Sequence, residues 1–321
     1  MPVIKPCFFG LCCLLPLLSV AQRIDNTAAF RDISGERYIR LHYDNDFFTA
    51  SDFYYTQGYS FEVVHPALRK NPLTNALIRL KNGTTKYGLA FDHFGFTPTD
   101  IGRRDILFND RPFASCLMLK TFAISVDTVR QSRLSAVLST GAIGPVAFGE
   151  GMQTTIHRWI NGVKPRGWRH QIQNDVIINY ELNHEKQIYQ YKNFFLLATN
   201  AQVRVGTLSD KAQIGLTLMA GKLNSPFLTS GSKNRFQLYF YNQPLLGFIA
   251  YDATLQGGLF NRANPYTLSA SELNRVTFQD NFGIVLKTRK VYLEYYQSIL
   301  TREFKSGMPH RWGGFRIGLS I

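Results

Sequence analysis

The chain has 321 residues, 36 Lys+Arg against 22 Asp+Glu, a formal charge of +14, and 14% aromatic residues including 25 Phe and 16 Tyr. A hydrophobic content of 45% is too high for disorder, and no mature stretch approaches the roughly 20 apolar residues of a spanning helix. With a mean hydropathy of −0.12, what remains is a soluble all-β or α/β protein, or a membrane β-barrel with its weak per-strand signal.

Residues 1–21 read as a signal peptide, with one basic residue (Lys5), an apolar run from Phe8 to Leu18, and Ser19-Val20-Ala21 before Gln22. The run is too short to span and carries Gly10 and Pro16. A lipoprotein is disfavoured, because Cys12 and Cys13 sit early in the run and lack the small residue before the Cys. Cleavage removes Cys7, Cys12 and Cys13 and leaves Cys116 alone, so no internal disulfide can stabilise the exported chain. The remaining charge of about +13 suits an anionic surface such as lipopolysaccharide. Export argues against nucleic acid as the partner.

Residues 22–321 form one domain, in which period-two alternation dominates. In the first run Ile39, Leu41 and Tyr43 are apolar, while Arg40, His42 and Asp44 are polar. Asp44-Asn45-Asp46 then meets Phe47 and Phe48. This is either a polar strand end or a site of hard oxygen ligands suited to calcium. Continued alternation points Asp46 inward and Asn45 outward, so the two share a site only if a bulge or strand end intervenes. Tyr55, Tyr59, Phe61 and Val63 alternate with Thr56, Gly58, Ser60 and Glu62 in the second run. After the third, Arg103-Arg104 is a loop charge pair or a phosphate clamp.

Expected strands lie near 38–46, 54–64, 85–93, 113–127, 133–146, 174–184, 192–207, 211–221, 246–257, 276–288, 290–302 and 311–320. Residues 235–242 are read as an extension of the following strand or part of an outer loop. The result is about twelve strands, an even number as single-chain bacterial barrels require. A soluble sandwich also alternates. Against it stand aromatics near run ends (Tyr43, Phe47, Phe48, Phe53, Tyr54; Tyr292, Tyr295, Tyr296), as membrane girdles would be, and a final run reaching Ile321. The expected fold class is all-β: an antiparallel transmembrane β-barrel of about 12 strands with a short inserted amphipathic helix.

That helix is expected over residues 150–161. Met152, Ile156, Trp159 and Ile160 share one face, while Glu150, Gln153, His157 and Asn161 share the other, before Gly162 and Pro165 stop it. A helical His is more often structural than catalytic. No G-x-S-x-G elbow, phosphate loop, H-E-x-x-H or paired zinc-binding Cys occurs.

Gly144-Pro145, Gly149 to Gln153, His157-Arg158, Gly167-Trp168, Gln171 and Asn174 together resemble the lipid A 3'-O-deacylase family of outer-membrane proteins. Asn45-Asp46, Tyr55-Thr56-x-Gly58 and Arg103-Arg104 extend the resemblance. It implies a twelve-stranded barrel in the bacterial outer membrane that contacts its lipids. It also implies calcium-dependent hydrolysis of the ester holding the 3'-linked acyloxyacyl group of lipid A, with lipopolysaccharide as partner. Carried over by position, His157 would be the general base, with Asn45, Asp46, Thr56 and Gln153 lining the site. Asp46 would bind the metal, and Arg103 and Arg104 would approach the lipid's phosphate or ester region. Some members carry an acidic residue six positions after the His, where this chain has Val163. Either Asp46 with backbone oxygens and water then suffices, or Glu150 or Asp175 compensates, or metal binding is weaker. The competing expectations are a passive porin or structural barrel, a lipopolysaccharide-binding barrel without activity, and an outer-membrane phospholipase.

Overall fold

The alternating runs fold as twelve strands among the described residues, which in this computed structural model are 25–51, 53–228 and 234–321. The expected signal segment lies outside them. The strands are β1 (Tyr38–Asn45), β2 (Tyr54–Val64), β3 (Thr84–Thr97), β4 (Ala114–Asp127), β5 (Ser132–Ile143) and β6 (Asp175–Tyr191). They continue as β7 (Phe195–Gly206), β8 (Ser209–Lys222), β9 (Gln237–Asp252), β10 (Val276–Lys287), β11 (Val291–Leu300) and β12 (His310–Ser320). Every strand pairs with its chain neighbours, and β1 pairs antiparallel with β12, closing the barrel. Closure leaves no sheet edge to protect.

Register shows why the alternation matters. Ile317, Leu41, Phe61, Phe91 and Leu119 are successive cross-strand partners, and all are exposed on the outer wall. One residue away, Arg40 faces Glu62 across β1 and β2 and bonds it at 2.8 Å, both buried in the lumen. Around Tyr43 an outer aromatic girdle forms from Tyr59, Phe315, Phe48 and Tyr295, with ring centroids 5.1 to 6.4 Å apart. Tyr292, Tyr296 and Tyr54, expected in a girdle, are instead buried inside. Parity explains the first two, since Tyr295 already occupies the outward position between them.

Residues 237–242 extend β9, while 253–257 leave it for the short helix α2 (Ala253–Gln256), whose first turn is capped by Asp252. β5 stops at Ile143 because Gly144 takes a φ of +107° before Pro145. Odd-numbered strands run toward a rim carrying connections 46–53, 98–113, 144–174, 253–275 and 301–309. The longest connections, 144–174 and 253–275, lie on this rim, as outer loops do, while the opposite rim carries 65–83 and 223–236.

The lumen is partly filled. Residues 25–33 enter it, with Ala28, Ala29, Phe30 and Arg31 all at most 3% exposed. Phe30 stacks on Tyr241 at 4.0 Å, and Arg31 bonds Glu294 at 2.9 Å, which Arg316 also reaches at 3.1 Å. The Ala29 N–H donates to the Glu185 carboxylate at 2.9 Å. Arg40 donates to the Arg31 and Asn26 carbonyls at 2.7 and 2.6 Å. Burial alone would raise the Asp32 carboxyl. Lys86, Arg133 and Lys287 outweigh it and hold that group well below the ordinary carboxylate range.

Candidate functional site at the outer rim

The β5–β6 connection carries helix α1 (Gly149–Trp159), docked on the rim by its polar side. Its anchor begins at Gly144, where a Cβ would lie 2.6 Å from the Asn174 nitrogen. Only glycine allows both that approach and the positive φ. The Asn174 side chain then accepts the Val146 N–H at 2.8 Å, and His93 Nε2 donates to the Ala147 carbonyl at 2.8 Å. A Cβ on Gly149 would fall 2.5 Å from Ser115 and 2.6 Å from Trp168, so the helix starts in contact with β4. Much of the pattern Gly144-Pro145, Gly167-Trp168 and Gln171 is thus scaffold for α1.

Among the helix residues Gln153 is the buried side chain, at 1% exposure, whereas apolar Trp159 is 77% exposed. Gln153 Nε2 donates to Thr56 Oγ1 at 3.1 Å, and Trp168 Nε1 donates to Gln153 Oε1 at 2.6 Å. Thr56 sits at a register shift in β2, between Tyr55 opposite Phe96 and Gln57 opposite Gly95. That bulge turns an extra side chain toward the helix. One turn along α1 from Gln153, His157 is half-buried, and its Nδ1 donates to the Val163 carbonyl at 2.7 Å. A carbonyl only accepts, so Nδ1 carries a proton, and in the neutral ring Nε2 keeps its lone pair. The turn is secured by Gly162 N–H bonding the His157 carbonyl at 2.8 Å.

Asn45 is the last residue of β1, in step with outward Tyr43, and Asp46 opens a short 3-10 turn, so a strand end falls between the two residues. Asn45 Oδ1 caps that turn by accepting the Phe47 N–H at 2.7 Å. Asp46, 2% exposed, accepts the Phe53 N–H on Oδ2 at 2.7 Å, and its carbonyl receives the Thr49 hydroxyl at 2.8 Å. One step below, Asp44 is partnered with Gly58 across β2 and accepts the Tyr55 hydroxyl at 2.7 Å. A Cβ on Gly58 would lie 2.0 Å from the Tyr55 hydroxyl and 2.2 Å from Asp44. The Tyr-Thr-x-Gly spacing therefore makes room for that bond.

Arg103 and Arg104 are exposed on the β3–β4 connection. Their loop is tied to the segment after α1 by Arg166 N–H on the Ile101 carbonyl at 2.9 Å and Arg169 on the Arg104 carbonyl at 3.1 Å. Across the rim Arg111 pairs with Glu303 and bonds Thr254 at 2.6 Å, joining three connections. Burial pushes the Glu303 carboxyl up to about 7, with Arg111 pulling it the other way.

The residues expected to hold a cation are oxygen donors. Asp46 and Asn45 are oxygen donors of the kind calcium prefers, and Asp46 Oδ2 and Asn45 Oδ1 already accept the Phe53 and Phe47 N–H groups. Among the described residues no three His, Cys, Asp or Glu gather as a metal cluster. Asp175, considered as a compensating ligand, is committed to structure, accepting the N–H groups of Val176, Phe260 and Asn261 at 2.7 to 2.9 Å. Position 163 contributes its backbone carbonyl, a role no side-chain pattern reveals.

The family model for "Outer membrane protein LpxR" matches residues 8–321. The chain belongs to the LpxR family. It is a bacterial outer-membrane barrel protein. Its fold resembles that of LpxR from Salmonella typhimurium, with a TM-score of 0.73 at 17% identity, covering 88% of this chain and 100% of that one. The β domain of the Bordetella autotransporter BrkA aligns over 90% of this chain and 99% of its own at 9% identity, with a TM-score of only 0.46. No curated protein sequence matches the chain.

Proposed function

We propose that this LpxR-family barrel is a lipid A deacylase that hydrolyses the ester of the 3'-linked acyloxyacyl chain of lipopolysaccharide. The observation that carries this reading is the tautomer of His157: with Nδ1–H given to Val163, Nε2 is an available base on a helix docked at the membrane's outer rim. Ester oxygens of a glycolipid lie at the polar boundary of the leaflet, so a base held at that height reaches them without burying charge in lipid.

His157 Nε2 takes a proton from water as the water oxygen bonds to the acyl carbonyl carbon. The tetrahedral intermediate then collapses, the carbon–oxygen bond to the sugar breaks, and the imidazolium returns its proton to the departing sugar oxygen. The sequence carries no G-x-S-x-G elbow, so water rather than a serine is the nucleophile. Asp46, with Asn45 and nearby carbonyls, would hold calcium, which when bound supplies a Lewis acid for the carbonyl oxygen. Arg103 and Arg104, exposed on the adjoining loop, offer charge-assisted donors to lipid A phosphate.

The test is mass spectrometry of lipid A from cells producing the protein, with and without a calcium chelator. Loss of an acyloxyacyl group, prevented by His157→Ala and by chelation, is the expected result. Unchanged lipid A with the unaltered chain would sink the hydrolase reading and leave lipopolysaccharide binding as the alternative. A passive porin finds no support in a lumen occupied by residues 25–33.

A further inference from the structure

We infer that Trp168 and Gln153 are positioning residues that turn Thr56 into an aimed hydrogen-bond donor for the ester's developing oxyanion, an inference that rests on the hydrolase reading above. An indole nitrogen can only donate. Its 2.6 Å bond therefore selects the amide orientation of Gln153, with Oε1 toward Trp168. The opposite orientation would set two donors against each other. With Oε1 so placed, Nε2 must face Thr56, and the 3.1 Å contact makes Thr56 Oγ1 the acceptor.

A hydroxyl that accepts from one side still has its own proton to give. Among the described residues no acceptor takes the Thr56 proton, although the residue is only 3% exposed. A buried donor without a partner costs free energy in an idle protein and is useful when an anionic oxygen arrives. The relay is rigid at its far end. Trp168 is 1% exposed, its ring packs on Phe113 at 4.9 Å, and a Cβ on Gly167 would meet that Phe113 ring at 2.5 Å. Hydrogen-bond direction thus passes from indole to amide to hydroxyl without any charged group.

Steady-state deacylation in detergent micelles tests the catalytic half. Thr56→Val should lower kcat about 100-fold with KM changed by under about threefold, and Thr56→Ser should recover kcat to within about tenfold. Gln153→Glu, assayed where the carboxyl is ionised, should match Thr56→Val, because two acceptor oxygens force the hydroxyl to turn back toward the helix. Trp168→Phe should cost about tenfold by letting the amide flip. Full kcat in Thr56→Val or in Gln153→Glu overturns the inference.

An activity-independent measurement tests the orienting half. In 15N-tryptophan-labelled protein the Trp168 indole proton should exchange far more slowly than that of exposed Trp159, and should shift in Gln153→Glu. Exchange as fast as Trp159 overturns the relay. An unaltered chain that leaves lipid A intact despite a protected indole removes the hydrolase reading and with it the catalytic role of Thr56, a failure distinguishable from loss of the relay itself.

Discussion

The lower lumen and the outer rim use the same residue types in opposite ways. Below, charges are paired: Glu294 takes both Arg31 and Arg316, and Asp32 lies among Lys86, Arg133 and Lys287. Above, His157 Nε2 and the Thr56 proton have no bonded partner among the described residues, and Arg103 and Arg104 are exposed. Pairing rigidifies and specifies, whereas an unspent donor or lone pair at the rim is free to meet substrate. Residue type alone does not separate function from structure, and neither does an unspent bond by itself, since Arg40 Nε, Arg133 Nε and the Asn183 amide are also buried without hydrogen-bond partners.

Substitutions in each region should separate accordingly. His157→Ala should reduce deacylation by about 10²–10⁴-fold, the range for a lost general base, while heat-modifiable gel mobility shows an intact barrel. Glu294→Ala should do the reverse. It leaves two buried guanidinium groups without their carboxylate and should destabilise the barrel by about 3–5 kcal/mol in denaturant titration, with kcat retained. A large loss of kcat in folded Glu294→Ala would break the comparison. Gly58→Ala links the regions, because its methyl would displace the Tyr55–Asp44 bond. A loss of about 1–3 kcal/mol is expected, with a drop in activity through the neighbouring Thr56 and Asn45.

The smallest effect should come from pH. The depressed Asp32 carboxyl gives stability that is fully present above its ordinary value, near 4, and is lost as acid protonates it in the folded chain. Hydrogen exchange at Ala28, Ala29 and Phe30 should therefore accelerate as pH falls below about 4. No acceleration would mean that burial and the neutral contacts hold the segment by themselves.

Much of the barrel was legible because burial on one face writes itself into every second residue. β2 spans Tyr54–Val64, the range expected from its alternation, and the even strand number follows from closure. Errors arose where both faces carry aromatics, as at Tyr292, Tyr295 and Tyr296. The lumen-filling segment left no trace, since residues 25–33 have no period and depend on partners as distant as Glu294. At the site, Gln153 and Thr56 could be named together through a family pattern, and the structure joins them directly. The Val163 carbonyl could not be foreseen, because any residue supplies one and only chain geometry aims it at His157.

The occupied lumen also constrains the order of assembly. The β1–β12 seam joins the first and last strands of the barrel, yet the segment just before β1 ends up enclosed by the wall. A finished cylinder offers it only the periplasmic mouth for entry. Its many cross-wall bonds favour threading while the sheet is still an open curl, with β12 the last strand to arrive. Shortening the N-terminus should then slow zipping of the final seam more than it weakens the completed barrel.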